Sequence, residues 1–129
     1  MTIKIVLPIY WDQSGKKRVL VSMNAYRNWH YHTANKFKTE FEELVYNQIP
    51  DVFSPIKGTF ALSIGIYYKN PACDPSNISA LIEKVVLDAL QRSSVVVNDS
   101  VKYHVKTTWI VAGRDTDNPR AEVTLKEIK

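Results

Sequence analysis

Residues 59–90 read TFALSIGIYYKNPACDPSNISALIEKVVLDAL and decide the fold. Large apolar side chains occupy every second position of 59–68, with Ala61, Ser63 and Gly65 between them. A period of two is typical of a strand with one buried face, and the small residues indicate that something packs closely on the other face. In 78–90 the apolar residues recur at steps of three and four, which predicts a helix with one buried stripe. A strand followed by such a helix predicts a helix packed on a sheet.

The segments on either side of this stretch show the same two periods. The predicted strands are 3–10, 18–23, 59–68, 95–97, 103–111 and 121–128, and the predicted helices are 33–49 and 78–90. Thr33 is the expected N-cap of the first helix, and Pro50 ends it because the residue before a proline avoids the helical region. A polar turn around Gly15 suggests that the first two strands form a hairpin, whereas 24–32 has no clean period and suggests a loop or an irregular helix start.

This order, β-β-α-β-α-β-β-β, predicts an α+β two-layer fold in which two main helices cover one mixed sheet. The chain has 129 residues, which fits a single domain over 1–129. Cys73 is the only cysteine, so the fold does not depend on a disulfide. No stretch approaches the roughly 20 apolar residues of a transmembrane helix, and the start lacks a signal-peptide pattern. We therefore expect a cytoplasmic protein without a membrane partner.

The net charge of +4 comes from 17 Lys and Arg against 13 Asp and Glu. A mild excess of this kind is compatible with a polyanionic partner and equally with an ordinary solubilising surface. Charge alone therefore leaves a small interaction domain without any nucleic acid role open.

The segment 74–99 holds two carboxylates that flank a helix and a strand. Asp74 stands before the helix, Lys84 lies within it, and Asp99 follows the next predicted strand. We expect the helix and the returning strand to bring Asp74 and Asp99 to the same edge of the sheet. Converging carboxylates form a hard-oxygen site that suits Mg²⁺, which also binds phosphate oxygens.

Each of these residues also has an ordinary structural interpretation. Asp74 before Pro75 is a common N-cap followed by proline at the first helical position. Asp99 in an Asn-Asp turn is a common turn residue. Lys84 and Asp88 are four residues apart on a helix and can form a simple surface pair.

Five short motifs give the sequence a resemblance to a known family. In chain order they are SMNAYR at 22–27, DPSN at 74–77, Lys84, DAL at 88–90 and ND at 98–99. The set resembles the signature of RusA-type Holliday junction resolvases, which has an Asp-x-Asp-Asn element, a helix lysine, an Asp-Ala-Leu triplet and a final acidic pair. Lys84 matches the helix lysine with a four-residue insertion before it.

The resemblance implies a Mg²⁺-dependent endonuclease, with Mn²⁺ as a possible substitute. Asp74 and Asp99 would be metal ligands, and Lys84 would stabilise charge that develops at the scissile phosphate. Members of the family are homodimers that introduce paired nicks in four-way DNA junctions during recombination and repair. They occur in bacteria and very often in phages and prophages.

The sequence departs from the family pattern at Ser76, where the pattern has its second aspartate. A neutral hydroxyl is a poorer Mg²⁺ ligand than a carboxylate. Two explanations keep a complete metal site: Asn77 or a water fills the position, or a nearby carboxylate such as Glu83 or Asp88 compensates. Alternatively, the protein binds junctions and cuts them poorly, which makes a cleavage-deficient junction-binding protein the second reading. Asn98 also replaces an acidic residue of the pattern.

Basic residues elsewhere are candidates for contacts with DNA. Lys16, Lys17 and Arg18 cluster beside the first turn, Arg27 lies in the motif at 22–27, and Lys69 precedes the DPSN element. In a suitable fold they would contact phosphates, although a short basic run is more often a solvated turn.

Aromatic side chains alternate with basic ones in 26–32. Tyr26, Trp29 and Tyr31 either stack on unpaired bases at a junction or anchor this segment to the core. His30 and His32 alone make a poor zinc site, because a third ligand is missing nearby.

Overall fold

The computed structural model describes residues 2–12 and 18–128. In chain order its elements are β1 (Thr2–Pro8), β2 (Tyr10–Asp12), β3 (Arg18–Leu20), α1 (Met23–Asn28), α2 (Tyr31–Tyr46), β4 (Thr59–Tyr68), α3 (Pro75–Arg92), β5 (His104–Arg114) and β6 (Arg120–Ile128). The expected α+β fold is confirmed, because one mixed sheet carries the helices.

The main sheet has four strands in the order β1-β6-β4-β5. β4 runs parallel to β5, and the other neighbours are antiparallel. α3 connects β4 to β5, so these three elements form a β-α-β crossover. α2 packs against α3 and β1, so the helices cover one face of the sheet.

The core lies between the helices and that covered face. Alternate residues of β1, β4 and β6 point into it, including Ile5, Leu62 and Val123, which are fully buried. Helix α3 buries nine residues because it lies between the sheet and the other helices. Phe37 and Phe41 extend the core under α2.

Several local details differ from the sequence prediction. Only 10–12 pairs with 18–20, and the longer strand β1 pairs instead with β6, its apolar Ile3, Ile5 and Leu7 in register with those of β6. The segment 95–97 makes only an isolated bridge, between Val96 and Ile56. The irregular segment 24–32 holds most of α1, which Ser22 caps, and the first residues of α2.

Helix α2 begins at Tyr31, before the expected start at Thr33. His30 is its N-cap, since the imidazole Nδ1 accepts a hydrogen bond from the His32 amide at 3.3 Å. Thr33 therefore lies inside the first turn, and the prediction of Thr33 as the cap was wrong.

β5 is an edge strand of the sheet, and it has exposed apolar side chains on both of its faces. Ile110 is 63% exposed and Trp109 is 42% exposed, with Val105 and Val111 also open to solvent. The opposite edge strand, β1, is partly covered by α2. An exposed apolar edge is a ready template for pairing with another strand.

We call the uncovered side of the sheet the open face. Its side chains come from the alternate positions of β1, β4, β5 and β6 that the helices leave free. Among the described residues, no helix combines the length and apolar character needed to cross a membrane.

Candidate functional site

Asp74 caps helix α3 at the end where β4 finishes. Its Oδ1 accepts hydrogen bonds from the Ser76 amide at 3.0 Å and the Ser76 hydroxyl at 2.8 Å. Its Oδ2 accepts one from the Asn77 side-chain amide at 2.8 Å. These bonds, that of the Ser76 hydroxyl first, lower the pKa of the Asp74 carboxyl below its ordinary value. The exposed carboxylate is therefore ionised and held in a fixed orientation.

Ser76 and Asn77 both donate hydrogen bonds to the Asp74 carboxylate. Each donates through its backbone amide and its side chain, so Asp74 is oriented by four donors. This geometry confirms the N-cap interpretation of Asp74. The cap does not use all the lone pairs of the carboxylate, because Oδ2 accepts only one bond in the described contacts.

Lys84 lies in the middle of α3 and pairs with Asp88, as its spacing predicted. Its ammonium is 3.7 Å from Asp88 Oδ2, and the same oxygen is 2.9 Å from the ammonium of Lys38 on α2. Lys38 also faces Glu42, a buried carboxylate that pairs with Arg92. Asp88 therefore belongs to a charge cluster between α2 and α3.

Glu42 is a residue that sequence reasoning missed. It is only 3% exposed, and Arg92 at the end of α3 is its hydrogen-bonding partner together with Tyr46. The i,i+4 spacing from Lys38 was the available signal, but Arg92 lies 50 residues away and no local pattern connects the two.

Asp99 lies in the exposed turn between α3 and β5. The turn is closed by its neighbours, because the Ser100 amide donates to the Asn98 side chain at 2.9 Å. Within residues 2–12 and 18–128, Asp99 has no hydrogen bond or ion pair of its own. Its carboxylate is free to meet an external group.

Asp74 and Asp99 lie at opposite ends of the sheet. Asp74 follows the carboxyl end of β4, whereas Asp99 precedes the amino end of β5, which lies beside the amino end of β4. Strand β4 has ten residues and extends about 30 Å. The expectation that both reach the same edge of one chain is wrong, because a crossover helix begins at one end of the strands and ends at the other.

Lys84 lies between these two ends. It is ten residues beyond Asp74, which corresponds to a rise of about 15 Å along α3. Consistent with this separation, no group of three His, Cys, Asp or Glu side chains suited to a metal ion is found in the described part of the chain.

A small apolar pocket adjoins Asp74 and was not apparent from the sequence. Its volume is about 240 Å³, and it is lined by Ile66, Tyr68, Pro71, Cys73, Pro75 and Val111. Burial raises the pKa of the Cys73 thiol, so this residue stays protonated rather than acting as a nucleophile. The start of α3 and the second half of β5 therefore line the same pocket.

The candidate DNA-binding residues that the structure describes lie on different elements. Arg18 pairs with Asp12 at 3.1 Å, and its guanidinium lies 5.4 Å from the centre of the Tyr10 ring. Arg27 is in the last turn of α1. Lys69 follows β4 at the Asp74 end of the sheet, where its carbonyl accepts a bond from Arg114. Lys16 and Lys17 lie outside the described residues.

The aromatic residues of 26–32 divide into two groups. Tyr26 and Trp29 pack on the core, with the Trp29 ring 5.2 Å from both Trp11 and Phe37. Tyr26 and Trp29 therefore anchor this segment to the core, which was one of the two interpretations of the sequence. Tyr31 is exposed and lies against the rings of its neighbours, His30 and His32.

Compared with known protein-family models and with curated proteins, the sequence finds no match.

Proposed function

We propose that the protein is a Mg²⁺-dependent endonuclease that nicks branched DNA as a homodimer, with each active site built from Asp74 of one protomer and Asp99 of the other. The observation that carries the proposal is the position of the two carboxylates at opposite ends of the sheet, next to its exposed edge strand β5. One chain alone separates them, whereas a two-fold axis beside β5 exchanges the two ends.

The geometry of such a dimer follows from the topology. Two copies of β5 that pair antiparallel place the amino end of one strand beside the carboxyl end of the other. Asp99 lies just before the amino end of β5. The start of α3, which Asp74 caps, lines the same pocket as Val111 in the carboxyl half of β5. Pairing therefore brings Asp99 of one protomer towards Asp74 of its partner, twice in one dimer.

The two carboxylates fit a Mg²⁺ ion in this arrangement. Mg²⁺ is commonly held by one or two carboxylates and keeps several waters, so a complete protein cage is not required. Asp74 is ionised and oriented by Ser76 and Asn77, and Asp99 is unpaired within the described residues. When bound, the ion would supply an activated water and charge neutralisation at a phosphodiester.

A complementation experiment tests whether the site is shared between protomers. Asp74→Asn and Asp99→Asn homodimers should not nick a synthetic four-way junction, because each keeps the shape of the side chain but removes a ligand charge. The two variants are then co-expressed with different affinity tags, and the heterodimer is purified through both tags. In the heterodimer one site combines both substituted residues, and the other combines two intact aspartates.

We expect this heterodimer to regain nicking at one site per dimer. The matched control pairs a wild-type protomer with an Asp74→Asn/Asp99→Asn double variant, which leaves no intact shared site and should be inactive. The opposite result, an inactive first heterodimer and an active control, would place the whole site within one chain. Full nicking by either homodimer would remove that aspartate from the site.

Binding without cleavage is the second candidate function, and the neutral Ser76 favours it. A gel shift with a junction in EDTA followed by addition of Mg²⁺ separates the candidates. Binding followed by nicking supports the nuclease, and binding alone supports a junction-binding protein. Absence of binding in both conditions would point to an interaction domain that does not use DNA.

A further inference from the structure

The open face of the sheet carries lysine and hydroxyl side chains in rows that run across the strands. The strand register forms one row of Lys4, Thr124, Ser63 and Thr108, and a neighbouring row of Thr2, Lys126, Ala61 and Lys106. These rows form two adjoining grooves of about 360 and 400 Å³, which share Ser63 and Thr108. None of these residues belongs to the proposed active site.

The basic side chains of this face differ in whether they are neutralised. Lys4 lies 3.2 Å from Glu122, and Arg120 bonds the same carboxylate at 2.8 Å. Lys106 and Lys126, by contrast, have no carboxylate partner within residues 2–12 and 18–128, and both are exposed. Glu127, the other carboxylate that lines a groove, has a partner of its own. The grooves therefore hold two uncompensated positive charges beside a row of hydroxyls.

This combination suits the phosphate backbone of a nucleic acid. Lysines and hydroxyls are typical contacts to phosphate oxygens, which fix the position of a duplex without reading its sequence. Sheets that bind single strands instead present aromatic rings on which bases stack. The aromatic ring on the described part of the open face, Tyr67, is covered by the Arg120 guanidinium at 3.9 Å. The face thus favours a double-stranded backbone over unstacked bases.

We propose that the open face binds the phosphate backbone of duplex DNA through Lys106 and Lys126. This inference rests on the proposed function, because it assigns a surface to the duplex arms of the same DNA partner. In the β5-paired dimer the open faces of both protomers join into one surface, with the two copies of Lys106 on its central strands. The surface and the active sites would then contact one junction together.

The test compares charge-matched variants in binding to a labelled junction, a linear duplex and a single strand. Lys106→Gln/Lys126→Gln removes the two open-face charges. Lys36→Gln/Lys57→Gln removes two exposed charges that lie off this face, on α2 and just before β4. Lys106→Arg/Lys126→Arg keeps the positive charge. Affinities are measured in EDTA over a range of salt concentrations, so that cleavage plays no part.

We expect the open-face Gln pair to weaken binding about tenfold and to reduce the slope of log affinity against log salt by about two per protomer. The off-face pair should keep the wild-type slope, and the Arg pair should bind like wild type. Equal slopes for both Gln pairs would overturn the inference while leaving the nuclease proposal intact. A stronger loss on single-stranded DNA than on duplex would also overturn it, and a wild type that binds no DNA would overturn both proposals.

Discussion

At the scale of single residues, Ser76 is the position that best distinguishes a nuclease from a protein that only binds DNA. Its hydroxyl donates a hydrogen bond to Asp74 Oδ1 at 2.8 Å and so orients that carboxylate. The pattern of RusA-type resolvases has a second aspartate at this position. The start of α3 favours an anion at this position, because the helix dipole and its free amides are positive there. An added carboxylate would gain from the helix and lose from its proximity to Asp74.

The substitution Ser76→Asp decides which effect is larger. If the missing carboxylate limits metal binding, the variant should nick a junction faster or at lower Mg²⁺ concentration than wild type. The measurement is the nicking rate of both proteins against Mg²⁺ on one synthetic junction. We expect an active wild type, because Asp74 and Asp99 are present. A silent wild type and an active variant would instead show that the natural protein only binds.

Truncation of Lys84 distinguishes a catalytic role from a structural one. Truncation to Ala should lower the nicking rate by about 10²-fold or more if the ammonium stabilises charge at the phosphate. Stability should fall by less than about 1 kcal/mol, since Asp88 keeps Lys38 at 2.9 Å and the Lys84 side chain is 41% exposed. Nicking rates and chemical unfolding measure the two effects separately.

Lys38→Ala is the matched control for Lys84. It removes the cation nearest to Asp88 and also leaves Glu42 with one partner fewer, so it should destabilise more than Lys84→Ala. Normal nicking by Lys84→Ala would assign this lysine to the helix surface alone.

At the scale of the elements, the sequence predicted those features that local pattern determines. The alternation in 59–68 and the stripe in 78–90 gave the right strand and helix, because burial of one face imposes a period. The Asp74 cap was also apparent, since its partners are its own neighbours. The pairing of β1 with β6 could not be predicted, because the two strands are more than 100 residues apart in sequence and no short-range signal specifies the pairing.

The turn between β5 and β6 provides a prediction about pH. Arg120 bonds Glu122 and Asp115 and lies over Tyr67. The pKa of Glu122 is lowered by Arg120 first, and that of Asp115 by the Asn118 amide first and by Arg120 next. A depressed carboxyl pKa contributes stability above the ordinary carboxyl range, and this contribution is lost as the pH falls through about 4 and below.

Arg120→Gln should therefore flatten the acid side of the stability profile. We expect the wild-type melting temperature to decrease more than that of the variant between pH 6 and pH 3, with the two curves converging in acid. Circular dichroism melts at several pH values measure this. Parallel curves would mean that the arginine does not stabilise these carboxylates.

At the scale of the whole molecule, the proposed site needs two chains to be complete. Sequence motifs identified Asp74 and Asp99, but their distance is set by the direction of the crossover between β4 and β5. A pattern of residues carries no information about which end of a sheet each one reaches until the topology is known. This is why the residues could be proposed from sequence and their arrangement could not.

The β5 edge makes the oligomeric state testable. Wild type should have twice the 14.8 kDa mass of the chain in light scattering. Trp109→Lys/Ile110→Lys places like charges on both sides of the two-fold axis and should shift the mass to that of one chain. Tyr31→Lys/Val52→Lys changes two other exposed apolar residues and should stay dimeric. A monomeric wild type at concentrations where it nicks would contradict the proposed assembly.

The distance between Asp74 and Asp99 within one chain also has a consequence for how much protein a cell must hold before any DNA is cut. If a complete site exists only in the dimer, a lone chain is harmless to the genome that encodes it. Below the dissociation constant of the dimer, the number of complete sites rises with the square of the protein level, because association follows mass action. Activity would then depend steeply on expression level, so that a small rise in synthesis converts inactive monomers into active dimers.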